Sequence, residues 1–145
     1  MPRRVVTCLC LALVGFLALA TAVADGPIAP RFPTAQISVD QWSAYLAQVK
    51  ALPDARCKDA PSNQYICDSA SQTTIWVFTR EGHPAHPAVS RGIMVFQQTV
   101  QGATVGIDRS GHYAGDRAAF DAWMKEFARL DHGQLTQWQS ILQPN

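Results

Sequence analysis

Beyond its first two dozen residues the chain has no apolar run long enough to cross a bilayer, no block of basic residues, no internal repeat and no low-complexity tract. The first absence argues against a spanning helix in the remainder. The second removes the electrostatic case for nucleic acid, since 12 Lys and Arg stand against 11 Asp and Glu. Cysteine is scarce: there are four, two of them are Cys8 and Cys10, and no pair has the CxxC spacing of a metal or redox site. Also missing are GxSxG, HExxH and a glycine-rich phosphate loop, the local signatures of several hydrolases, zinc proteases and nucleotide binders.

What is present starts at the N-terminus. Arg3 and Arg4 precede an apolar run over residues 5–20, which ends near Ala22-Val23-Ala24. A basic start, a short apolar segment and a small-x-small site predict a signal peptide over 1–24, cleaved after Ala24. A retained anchor fits less well, because the run is short and Asp25-Gly26-Pro27 follows it instead of a basic stop signal. A lipoprotein fits no better, since Cys8 and Cys10 lie near the beginning of the run and a lipidated cysteine would follow it. Cleavage would leave 121 residues of the 145, the size of one small domain, with a net charge near −1 once Arg3 and Arg4 are gone. It would also leave Cys57 and Cys67, which in an exported chain are expected to form a disulfide. Closing so short a loop contributes about 3 kcal/mol in the chain-entropy model.

Three prolines, Pro27, Pro30 and Pro33, give an extended lead-in over residues 25–36. A single domain is then expected over 37–145. Ser38 followed by Gln41 makes a capping box, and Val39, Trp42, Tyr45, Leu46, Val49 and Leu52 recur on one helical face until Pro53. Strands are expected at 65–67, 73–79, 91–100 and 103–107, with turns at Gln101-Gly102 and Ser110-Gly111. A second helix starts from Asp116 as N-cap, carries Phe120, Trp123, Met124, Phe127 and Leu130 on its apolar side, and stops at Gly133. A short third helix follows through Leu135, Trp138 and Leu142. The fold class is α+β: an antiparallel sheet of three to five strands flanked by N-terminal and C-terminal amphipathic helices, both packed on one sheet face. The four tryptophans, Trp42, Trp76, Trp123 and Trp138, are all read as core.

The segment REGHPAHPAVSRG, residues 80–92, raises the functional question. His83 and His86 each precede a proline, which pushes both towards extended backbone. In a polyproline run three residues advance ~9 Å, so two imidazoles would have to lean steeply inward to share a zinc, whereas a type I turn with Pro84 at its second position would bring them closer. A zinc site would also need further ligands, with His112 the nearest candidate in sequence. Asp108, Ser110 and His112 carry the residue types of a hydrolase triad, yet five consecutive residues more simply make a hairpin turn. The remaining reading is a loop stiffened by Pro84 and Pro87, offering Arg80, Glu81, His83, His86 and Arg91 to a protein partner with little conformational entropy left to lose.

Phe78-Thr79, Gly82-His83-Pro84-Ala85-His86-Pro87-Ala88, Arg91, Ala114-Gly115-Asp116 and Phe120 together resemble a group of small secreted proteins of Gram-negative bacteria, over about residues 75–127. The resemblance implies export and fold more than activity. The general plan is also similar to that of periplasmic immunity proteins. The expected function is therefore a non-catalytic periplasmic or secreted protein that binds another protein through residues 80–91, as an inhibitor or immunity factor, without a cofactor. A zinc or copper protein using His83 and His86, and a small hydrolase, are the alternatives.

Overall fold

The computed structural model describes residues 30–100 and 102–142. The expected signal peptide, Cys8, Cys10 and the first part of the lead-in lie outside them. The elements run α1 (Val39–Lys50), β1 (Arg56–Ala60), β2 (Gln64–Ser69), β3 (Thr74–Thr79), β4 (Ala88–Thr99), β5 (Gly102–Tyr113) and α2 (Arg117–Leu142). The five strands form one antiparallel meander in chain order, so the fold is α+β. Cys57 and Cys67 face each other across β1 and β2 and are disulfide-bonded.

Both helix starts follow from their caps. The Ser38 hydroxyl accepts from the Gln41 amide while the Gln41 side chain accepts from the Ser38 amide, closing the expected capping box. Asp116 accepts from the Ala119 amide at the start of α2. Along α1 the buried stripe is Tyr45, Val49 and, just past the helix, Leu52. Val39 departs from expectation and is 54% exposed.

The two helices pack on opposite sheet faces, not on one. Strand alternation sends Trp76 and Phe78 to one face, where they meet Tyr45 and Val49 of α1 together with Cys67 and Val89. Val77 points the other way, into a second cluster with Ala88, Tyr113, Phe120 and Trp123 of α2. A strand covered on both sides reads as a continuous apolar run, which is what Trp76-Val77-Phe78 is.

Four further expectations are corrected. Ser110-Gly111 is no turn: both residues pair with β4, opposite Arg91 and Ser90. Gly111 sits there because a side chain would meet Phe120 and Met124. Gly133 does not stop α2, which runs 26 residues and absorbs the separate third helix. Trp138 is no core residue; it is 48% exposed near the far end of α2.

Candidate functional site

The loop from Arg80 to Pro87 joins β3 to β4 and is held by its two histidines on opposite sides of the sheet. The His86 Nδ1–H donates to the Thr79 carbonyl at 3.0 Å, and its ring stands edge-on to Trp42 of α1, 5.2 Å between centres. His83 leans the other way, 5.3 Å from the Trp123 ring of α2, and its Nδ1 accepts the Ala85 amide at 3.1 Å. Both rings are half-buried. Thr79, fully buried, closes the base of the loop: its hydroxyl accepts from the Ala88 amide and donates to the Ala88 carbonyl. The His86–Pro87 peptide is cis.

Two glycines are required by this geometry. Gly82 has φ +89°, a left-handed conformation that side chains rarely adopt. A Cβ on Gly115 would lie 2.3 Å from the His86 carbonyl oxygen, so the chain entering α2 can pass beneath the loop only without a side chain.

Anchoring the histidines leaves Arg80, Glu81, Gly82 and Pro84 exposed at the tip. Arg80 pairs with Asp59 of β1 and stands 5.8 Å from the Tyr65 ring centre, which Lys50 approaches at 5.6 Å. These groups rim a cleft of about 390 Å³ whose apolar wall is Trp42, Leu46, Tyr65 and Phe78 and whose mouth carries Lys50, Asp59, Arg80 and Glu81. Cations and carboxylates are balanced there, two of each. A second hollow of about 250 Å³, beside His83, is lined by Gln64, Trp123, Glu126 and Leu130 on the other face.

The five residues expected to act together are thus divided. Arg80, Glu81 and His86 share the cleft. His83 belongs to the α2 side. Arg91 lies within β4 opposite Trp76 and Ser110, half-buried, its Nε buried without a hydrogen-bond partner among the described residues. Sequence reasoning missed that Trp42 and Leu46 wall this cleft and that Lys50 stands at its mouth. Their i, i+4, i+8 spacing marks a stripe beside the core stripe of Tyr45 and Val49, and was the signal available.

Burial lowers the His83 imidazole pKa below its ordinary value; the charge of His86 adds to this and Glu126 opposes it. Burial likewise lowers that of His112, against hydrogen bonds to the backbone of Thr34 and Ala35. Its Nδ1–H donates to the Thr34 carbonyl at 2.9 Å, where a hydrolase histidine would address a carboxylate, and no hydrogen bond joins it to Ser110. Among the described residues no group of three or more His, Cys, Asp or Glu gathers as a metal site. No described helix is long and apolar enough to cross a membrane.

No family model, curated protein or solved structure matches this chain.

Proposed function

We propose that the protein is a non-catalytic exported binding module, working in the periplasm of a Gram-negative bacterium or outside the cell, that docks another protein on the β3–β4 loop tip and the cleft beside it. The signal peptide reading of residues 1–24 and the disulfide support export. The observation that carries the binding reading is the double anchoring of the loop. Each imidazole meets a tryptophan of a different helix, so the tip is held rigidly while Arg80 and Glu81 stay in solvent. A preorganised tip loses little entropy on docking. An apolar wall with a charged mouth suits a partner side chain inserted as an anchor and surrounded by polar contacts. Inhibition of a toxin or enzyme, as an immunity protein does, is one task such a surface serves.

The test is affinity capture from periplasmic extract, comparing wild type with an R80A/E81A variant and with Leu46→Arg, which fills the cleft with charge. Loss of the same retrieved protein in both variants is expected, with the melting temperature unchanged in R80A/E81A and lowered in Leu46→Arg, whose side chain packs on the core, but still above the capture temperature. Retrieval that is indifferent to both would show that this surface is not the contact.

A further inference from the structure

The loop and cleft leave unused the longest feature of the sheet, its β5 edge. Among the described residues the lead-in meets it at one end: Tyr113 donates to the Ala35 carbonyl and accepts from the Ile37 amide. By strand alternation Ala103, Val105, Ile107, Arg109 and Gly111 turn their N–H and C=O groups outward in the same way, and no described strand pairs with them. The segment holds no proline or lysine, the usual protection of such an edge. The opposite edge is different, since β1 has five residues and carries Arg56, Lys58 and Asp59 exposed.

Beside the open edge lies a groove of about 450 Å³ between β5 and α2, lined by Ile107, Met124, Ala128 and Leu135 along with Arg109 and Asp131. Trp138 extends the same helix stripe, three residues after Leu135, and is half exposed. Among the described residues, backbone and apolar surface are therefore both without a partner on the same side of the molecule.

We propose that a second copy of this chain occupies this edge, β5 against β5 antiparallel, with Ile107 on the two-fold axis. The open segment is symmetric about that residue. Ala103 then faces Gly111, Val105 faces Arg109 and Ile107 faces its own copy, so every outward amide and carbonyl of the five residues finds a partner. On the other sheet face Gly106 meets Asp108 and Thr104 meets Ser110, and no like charges stand directly opposite. The two α2 stripes approach over the axis and cover Ile107, Leu135 and Trp138. The result is a continuous ten-stranded sheet. Tyr113, at the loop end of β5, lies six positions from the axis, roughly 20 Å, so both β3–β4 loops stay outside the contact.

Sedimentation velocity on the purified protein, from low micromolar to several hundred micromolar, should show a species of twice the monomer mass. Ile107→Lys places two charges on the axis and should weaken self-association about 100-fold or more. Trp138→Ser, at an exposed position, should weaken it without altering the circular dichroism spectrum. Ile107→Cys should yield an interchain disulfide across the axis. Monomer at every concentration overturns the proposal, including the case where only the strand of a different protein fills the edge. A dimer that survives Ile107→Lys and Trp138→Ser also overturns it; should Ile107→Lys fail to fold, Trp138→Ser and the cysteine variant decide.

Discussion

Thr79 shows how much one hydroxyl can organise. It is fully buried at the end of β3, and its Oγ serves both the amide and the carbonyl of Ala88, across the neck of the loop. Thr79→Val keeps the shape and leaves the Ala88 amide without its partner in a dry site. A loss of about 1–3 kcal/mol is expected from urea denaturation, with Thr79→Ser retaining most of the stability. Arg109 and Asp131 make a similar point with charge. The guanidinium meets both Asp131 oxygens at 2.5 and 2.6 Å, reaches the Ser90 hydroxyl at 3.0 Å and lies over the Phe127 ring, all at low exposure. It ties β4, β5 and α2 at one point, and Gly92 leaves room for it. Asp131→Ala strands the arginine charge and should cost ~3–5 kcal/mol, whereas an R109M/D131L double variant should come out near wild type in the same denaturation experiment. A double variant as unstable as the single one would show that packing at this point, and not an unpaired charge, sets the loss.

At the scale of elements, α2 offers the sharpest check. Gly133 lies in the interior of the helix, exposed, with open space where a Cβ would be placed. Gly133→Ala should therefore raise stability by about 0.5–1 kcal/mol, read as an increase in denaturation midpoint. In sequence Gly133 looks like a stop, because a helix-ending glycine and a tolerated interior one are alike in one dimension. Elsewhere the legible parts were those with a local cause. The capping box of Ser38 and Gln41, the Asp116 cap and the β-branched, aromatic run of β3 are written in neighbouring residues. β1 was not found, because Arg56-Cys57-Lys58-Asp59-Ala60 is charged and mostly exposed and is held as a strand by its partner β2 and the disulfide. Ser110-Gly111 misleads for a related reason: glycine there answers to Phe120 and Met124 of α2, distant in sequence, and not to a turn. The division of the histidines between two faces was equally invisible, since it depends on which helix covers which side.

Across the whole molecule, the two helix layers share a dependence on neutral imidazole. His112 is wedged between the lead-in and α1, with Phe32 at 5.2 Å and the Thr34 carbonyl on its Nδ1, and feels the positive charge of Arg91. His83 sits against Trp123 on the opposite layer, with Glu126 and His86 as its charged neighbours. Burial lowers both pKa values from 6.5. The sign follows directly: above pH 6.5 both groups are neutral whether the chain is folded or not, and stability does not depend on them. Below it the unfolded chain takes up protons that the folded chain resists, so stability falls from pH 6.5 down to the lowered folded values and levels off beneath them. For His83 the proton would also remove the lone pair that accepts the Ala85 amide, loosening the loop itself. Thermal melts between pH 7.5 and 5 should thus show a falling melting temperature, and replacing both His83 and His112 by Gln should flatten that slope even if it lowers the plateau. A slope unchanged in the double variant would assign the acid sensitivity to other groups and would remove the imidazoles as the link between loop order and pH.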